Sequence, residues 1–317
     1  MSATLLATPL DPGSPAWREA LTASKIPAML RLNPPGWGNR FSLWHEMAGL
    51  VPADESTDEM RRGHYLEPAI SAWFADRHPD WKIVRTGTWR NNQRPWQYSN
   101  PDRLIHRTGG RRRILELKSD ASGYEFGTPG TDEIPVFYRA QGLWQMDTLD
   151  ADVVHFAVIN SRLAFDEYVI ERTPDVQEEI EWLREEALAF LDTLPTGKNP
   201  TPPDIDEDTV TYETLRKLAP GFDGTEEVEI DRVLAGRYFA AIDAASEAKS
   251  ELQHASNLVL DAMGEARRAI TLTTGSSPED VESTHVATRV PGRGDNPPYL
   301  KKGTRKTTPI TDIRSAA

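Results

Sequence analysis

The chain has 317 residues, 38% of them hydrophobic, which is enough for one large core or a core with a smaller appendage. It has no cysteine, which fits a reducing cytoplasm and excludes thiolate zinc sites and cysteine-ligated iron–sulfur clusters. No apolar run reaches membrane-span length, the first residues lack a signal-peptide pattern, and a net charge of -13 argues against indiscriminate attraction to DNA.

In chain order, residues 15–32 read as a helix with Trp17, Leu21, Ile26 and Leu30 on one stripe. The Pro/Gly-rich run Asn33–Gly38 is a loop, and a short helix covers 41–49. Ser56-Thr57-Asp58-Glu59 reads as a capping box opening the next helix. Its buried face is Leu66, Ile70, Trp73 and Phe74, and Pro68 should kink or restart it just after Glu67. Strands are expected over 81–90, 97–105 and 113–119, with a hairpin turn at Arg107–Arg111. Residues 121–134 are a Gly-, Pro- and Asp-rich loop. A helix over 135–149, strands over 153–159 and 165–171, and an amphipathic helix over 176–194 follow. Mixed strands flanked by helices define an α/β sandwich with a central mixed sheet.

Pro195–Pro203 breaks this pattern, so the expected division is a core over 14–195, an acidic linker region over 196–230 and a mainly helical extension over 231–317. The extension should hold one long helical stretch over 234–272, with a break near Gly264, and then short strands or a tail. An ordinary helical extension packed on the core is the favoured reading. An oligomerisation or DNA-contacting arm is the alternative.

Charge is unevenly placed. Acids crowd 178–186 and 204–231. Basic residues crowd Arg85, Arg90, Arg94, Arg103, Arg107 and Arg111–Arg113, and again Lys301, Lys302, Arg305 and Lys306. Taken singly these arginines read as solvated surface; as a group around one site they suit phosphates.

The informative stretch is Asn100-Pro101-Asp102 followed by Ile114-Leu115-Glu116-Leu117-Lys118. Side chains alternate along a strand, so Glu116 and Lys118 share one face while Leu115 and Leu117 take the other. Taken alone, an acid-x-lysine triplet is better explained as an exposed ion pair, which contributes little. Asp102 alone could be a turn residue after Pro101, and Glu67 a surface carboxylate beside a proline. Tyr138, Gln141 and Gln145 share one helix face. His64 reads as structural, and Trp89, Trp96 and Trp144 as core residues rather than base-stacking ones.

Three features in this order, Gly63-His64-Tyr65-Leu66-Glu67-Pro68, the Asp102/Glu116-x-Lys118 pair and Tyr138-Arg139-Ala140-Gln141 continuing to Gln145, resemble a known family. It is the YqaJ-like phage-type exonuclease/recombinase family, related to lambda exonuclease, of the PD-(D/E)xK nucleases. The likeness runs from about Trp17 to about Leu194. It implies a restriction-endonuclease-like α/β/α sandwich and Mg²⁺-dependent hydrolysis of phosphodiesters with one or two ions per site, Mn²⁺ being the alternative ion. Glu67, Asp102, Glu116 and the backbone carbonyl of Leu117 would be the metal ligands. Lys118 would orient or deprotonate the attacking water, or stabilise transition-state charge, and Gln141 would bind that water or a phosphate oxygen. Arg18, Ser24, Tyr138 and Gln145 are candidate DNA contacts, Ser24 and Arg18 near a 5′ end.

The same resemblance implies resection of linear double-stranded DNA, 5′ to 3′, by a homo-oligomeric ring with a single-strand annealing partner. The setting would be the cytoplasm of a bacterial host, and the origin a phage or prophage. Two features depart from the family: the spacing of Arg18 to Thr22, and the long arginine-rich hairpin between Asp102 and Glu116. A structure- or sequence-specific endonuclease on the same core and a catalytically silent DNA-binding protein are the competing readings.

Overall fold

The computed structural model describes residues 2–11, 13–52, 57–106, 110–121, 126–221, 224, 226–274, 281–294, 296–303 and 314. It divides into two compact units, Met1–Phe222 with Thr308–Ala317, and Asp223–Thr307. In chain order the first unit contains β1 (Ala3–Leu5), α1 (Pro15–Glu19), β2 (Leu21–Thr22), a 3-10 turn (Ala23–Lys25), α2 (Ile26–Met29), α3 (Arg40–Met47) and α4 (Asp58–Arg77). Then come β3 (Lys82–Arg85), β4 (Trp89–Asn91), β5 (Gln97–Ser99), β6 (Arg103–His106), β7 (Arg113–Asp120), α5 (Val136–Leu149), β8 (Val153–Asn160), β9 (Phe165–Glu171), α6 (Pro174–Thr193) and α7 (Thr209–Leu218). The second unit has α8 (Arg232–Met263), β10 (Arg268–Thr274), β11 (Val281–Val290) and β12 (Tyr299–Lys302).

The central sheet is five-stranded and mixed, in the order β3-β6-β7-β8-β9. Only β7 and β8 run parallel, and α5 lies in the crossover between them, as parallel neighbours require. On one face, Ile70 and Phe74 of α4 pack on Ile105, Leu115, Leu117, Ala157 and Phe165. On the other, α5 and α6 enclose Ile114, Val154, Phe156 and Val158. This is the α/β sandwich the sequence pattern implies. The alternation along β7 is as expected, with Leu115 and Leu117 toward α4 and Glu116 bonded to α5. Burying a leucine or phenylalanine contributes about 1.5–3 kcal/mol each, so the apolar face of β7 fixes the strand and thereby the position of its charged face.

A second, four-stranded sheet has the order β1-β4-β5-β2. Its presence corrects two expectations. The strand expected over 81–90 is two, β3 in the large sheet and β4 in the small one. The strand expected over 97–105 is likewise split into β5 and β6. The break in the second falls at Asn100-Pro101-Asp102, where Pro101, having no N–H to give a ladder, lets the chain leave one sheet and enter the other.

Other boundaries also differ from the sequence pattern. Residues 15–32 are not one helix: α1 ends at Glu19, because Leu21 and Thr22 pair in parallel with Gln97 and Tyr98. Pro68 does not interrupt α4, which is continuous from Asp58 to Arg77. The cap of α4 is Thr57, whose side chain accepts from Met60 N, one residue later than the capping box places it; Ser56 lies outside the described residues. On α4 Ile70 and Phe74 are buried and Leu66 packs against them, whereas Trp73 is exposed and stacks on Phe165. Within the expected linker, α7 buries Thr211 and Thr214, and Asn39 donates to Thr211 Oγ1 at 2.7 Å. The turn at 107–109 and the centre of the loop at 122–125 lie outside the described residues, as do Arg305 and Lys306.

The second unit begins as expected with a long helix. Asp231 caps it by accepting from Val233 N and Leu234 N. It ends at Met263, not at Leu272, because Gly264 adopts φ +50 and the chain turns into β10. Residues 268–274 are therefore strand, pairing antiparallel with β11, which pairs in turn with β12.

The approach of α5 to the sheet depends on Gly142. A Cβ there would stand 2.7 Å from Phe156 Cζ on β8, closer than any real contact. Gly142→Ala is therefore expected to destabilise the first unit by about 1–3 kcal/mol. Chemical denaturation should show this as a lower midpoint with an unchanged slope.

Candidate active site

The β6–β7 ladder pairs Arg103 with Leu115. One step beyond it, Asp102 comes opposite Glu116. The two are tied both ways: Asp102 N donates to Glu116 Oε1 at 3.3 Å, and Leu117 N donates to Asp102 Oδ2 at 2.8 Å. Glu116 is only 1% exposed. A carboxylate so buried must be fully satisfied by donors. Gln145 Nε2 gives Oε1 a second bond at 2.8 Å. Oε2 accepts from Lys118 Nζ at 2.9 Å and from Gln141 Nε2 at 3.0 Å.

Lys118 is fixed from three sides. Besides Glu116, its ammonium donates to Gln141 Oε1 at 3.2 Å and lies 4.8 Å from the centre of the Tyr138 ring. Burial lowers its pKa, but Glu116, Asp102 and Tyr138 outweigh that and hold it above the ordinary lysine range. Lys118 is therefore an ammonium here.

Asp102 is pushed up to about 8. Burial is the main cause, followed by the Glu116 charge, against which Lys118 and the Leu117 N–H act; Glu67 adds a smaller upward push. Acids that repel one another inside a protein make a place for a cation. Asn100 Oδ1, two residues before Asp102, and Gln145 Oε1, on the amide that bonds Glu116, are buried acceptors without a donor. This set of oxygens suits a hard divalent ion such as Mg²⁺ or Mn²⁺. Among the described residues no three His, Cys, Asp or Glu side chains are grouped so that they alone could hold a metal ion.

The structure thus brings Asp102, Glu116, Leu117, Lys118, Gln141, Gln145 and Tyr138 together, with Glu67 within electrostatic range of Asp102. Two of the candidate DNA contacts are placed otherwise. Gln145 is fully buried behind Glu116, where no DNA could reach it. Tyr138 stacks on Phe126 and lies against Lys118, so its ring is a wall of the site. Ser24 is exposed within an otherwise buried run and shares a hydrogen bond with Thr22 at 3.1 Å. Arg18 is half-buried on α1. His64 lies 3.9 Å from Glu67 on the solvent side of α4.

Lys25 was not foreseen. It is 3% exposed, and its ammonium donates to the carbonyls of Trp17, Arg18 and Ala20 while lying 4.1 Å from the Trp17 ring centre. It ties together the segment that carries Arg18 and Ser24. The signal was a lone cation between Ala23 and Ile26, in a run too apolar for a surface helix.

Most of the arginines grouped around the site in sequence are engaged elsewhere. Arg94 pairs with buried Asp147, Arg111 with Glu171, and Arg113 with His155 and the Trp81 face. Arg112 bonds the Leu149 carbonyl. Arg103 stays near the site, bonding Ser71 and the Asp102 carbonyl. Trp144 is fully buried and Trp96 packs against it, the core role expected for both.

A mixed α/β sandwich with an Asp opposite a Glu-x-Lys on its central hairpin is the arrangement expected from the sequence resemblance. Residues 15–152 match the family model of the YqaJ-like viral recombinase domain. Among solved structures, the chain is similar to an alkaline exonuclease from Laribacter hongkongensis. The identity is 20% and the TM-score 0.43, over 56% of this chain and 88% of that one. It is also similar to a phage-related exonuclease from Haemophilus somnus, at 14% identity and a TM-score of 0.40, over 54% of this chain and 92% of that one. No curated protein matches it. No described helix is long and apolar enough to cross a membrane.

The raised pKa of Asp102 carries a sign. Without metal, the folded state holds a proton here between the unfolded value near 4 and about 8, so the stability this lends is lost as pH rises through 8. Asp102→Asn keeps an oxygen for the Leu117 N–H and removes the charge. In metal-free protein at pH 9 it is expected to raise Tm by a few degrees, at about 2–4 °C per kcal/mol. The gain should shrink as pH falls and vanish below about pH 4, where Asp102 is protonated in both folded and unfolded chains, and calorimetry at pH 9 and at pH 4 measures the difference.

Proposed function

We propose that this protein is a metal-dependent exonuclease that resects linear double-stranded DNA, 5′ to 3′, for phage-type recombination. The observation that carries the reading is the pairing of Asp102 with Glu116 across the hairpin, with the Lys118 ammonium held at Glu116 Oε2. An exposed surface ion pair would have neither the burial nor the four donors. The match of residues 15–152 to the YqaJ-like viral recombinase domain model supports it.

Asp102, Glu116, Glu67 and the Leu117 carbonyl would hold Mg²⁺ or Mn²⁺. The bound ion or ions would supply Lewis-acid neutralisation of the charge that develops on the phosphate and the leaving oxygen. The remaining work falls to the chain. Lys118, kept protonated by its carboxylate neighbours, favours the charge-stabilising role over that of a base: its ammonium donates to the attacked phosphate or steadies the incoming water. Gln141, whose amide already spans Lys118 and Glu116, orients that water. Gln145 and Tyr138 hold Glu116 and Lys118 from behind. Ser24 and Arg18, in the segment braced by Lys25, would meet the DNA end. The same reading implies a homo-oligomeric ring and a single-strand annealing protein as partner, in the cytoplasm of a bacterial host.

The test is digestion of linear and closed-circular duplex DNA with Mg²⁺, using end-labelled ends to read polarity. Linear DNA is expected to be lost from its 5′ ends and the circle to survive. Chelation of the metal should stop digestion, and Lys118→Ala should slow it by about 100- to 1000-fold. Cutting of the circle would instead identify an endonuclease, and no metal-dependent cutting would leave a DNA-binding protein. Gln145→Leu removes a donor from Glu116 without touching DNA. It is expected to lower kcat by at least about tenfold with KM for DNA unchanged, and steady-state kinetics would separate the two.

A further inference from the structure

Asp147, near the C-terminal end of α5, is only 3% exposed. It lies two residues beyond Gln145, so helical spacing turns it away from Glu116. Its partners are on the other side. Three guanidinium groups from three places in the chain converge on it: Arg94 between β4 and β5, Arg172 just after β9, and Arg184 on α6. One cation would offset a buried carboxylate.

A single carboxylate cannot serve all three. Arg184 takes both oxygens, with Nε 2.9 Å from Oδ2 and Nη2 on Oδ1. Arg94 Nη2 stands 3.1 Å from each oxygen, and Gln97 Nε2 is 2.8 Å from Oδ2. A carboxylate offers about four lone-pair sites, and these donors use them. Arg172 is left over. Its Nη2 lies 3.6 Å from Asp147 Oδ1, outside hydrogen-bond reach. Its Nη1 turns to the exposed Asp150 at 3.0 Å, and its Nε is buried with no acceptor. Buried donors in folded proteins have partners, so the acceptor for this one must come from outside the chain.

There is space for it. The three arginines line a cavity of about 310 Å³ with Asp147 and Asp150. Serine, asparagine and glutamine side chains complete the lining, and no apolar or aromatic group enters it. The lining thus carries three positive charges against two negative ones, in a chain whose net charge is -13. Just outside it, Arg112 donates to Ser2 Oγ and Glu181 accepts from Gln177, and these two charges offset. Bonds to Asp147 raise the pKa of Arg184. That of Arg94 is lowered, by burial first and then, against Asp147, by the charges of Arg184 and Arg172. One more negative charge would relieve this crowding.

The surplus is positive, rich in N–H donors and forked. A guanidinium sets two N–H groups against two oxygens of one phosphate, a fit that chloride cannot match. A base would find no ring on which to stack. We propose that this cavity binds a phosphate group, with Arg172 as its main contact and Arg94 and Arg184 completing the cradle. Free phosphate and the backbone of a DNA strand both offer that group. The site lies across α5 from Glu116 and does not depend on the nuclease reading.

Metal-free, full-length protein is to be unfolded thermally in sodium phosphate and in sodium chloride of equal ionic strength, with phosphate binding followed by calorimetry. Phosphate is expected to raise Tm where chloride does not. Arg172→Gln is expected to weaken phosphate binding about 10- to 100-fold. Gln177→Glu puts a negative charge on the lining and leaves every bond to Asp147 in place; it should weaken binding at least about tenfold. Phosphate and chloride acting alike would overturn the proposal, because solvent would then satisfy Arg172. Phosphate binding undiminished in either variant would overturn it too, because the ion would sit elsewhere. A short DNA duplex titrated into the same metal-free protein identifies the source. Gln177→Glu weakening duplex and phosphate by the same factor makes the ligand a backbone phosphate, and weakening of phosphate alone makes it the free ion.

Discussion

The arrangement of the first unit depends on holding one carboxylate, Glu116, in the interior. An unpaired charge there would cost several kcal/mol. Four donors from three elements prevent this: Lys118 beside it on β7, the Asp102 N–H at the end of β6, and Gln141 and Gln145 on α5. Each donor is in place only if its element is. The β7–α5–β8 crossover, the bare Gly142 that lets the helix descend, and the exit of the chain at Pro101 are all conditions on the same few ångströms.

That dependence explains the division of labour across the sheet. Leu115 and Leu117 fix β7 against α4 by apolar burial, which is tolerant of direction and strong. Glu116 and Lys118 then need no stabilising role of their own. Acids drawn this close together are a poor choice for stability and a good one for capturing a cation.

The site was legible in the sequence where its logic was local. Alternation along 113–119 placed Glu116 and Lys118 on one face, and helical spacing placed Tyr138, Gln141 and Gln145 on another. What was not legible was depth. Gln145 and Gln141 are the same residue type a single turn apart, yet one is sealed behind the carboxylate and the other borders it, a difference only the packing of α5 on the sheet decides. The same holds for the arginines, which cluster in sequence but answer to Asp147, Glu171 and His155 in space. The small sheet was missed for a related reason. Its strands are two or three residues long, too short for a period to declare itself, and β2 exists only because Leu21 and Thr22 find Gln97 and Tyr98. In α4, neighbouring turns and tertiary contacts carried the helix through Pro68 against its intrinsic preference.

The crossing of the chain at Asn100–Asp102 has a mechanical consequence. Asp102 stands at the seam between two sheets that share no ladder, so it is the point at which any sliding of one against the other is felt first. A ligand or neighbour that grips the small sheet would therefore act as a lever on the spacing of the two acids, from a distance and without touching either.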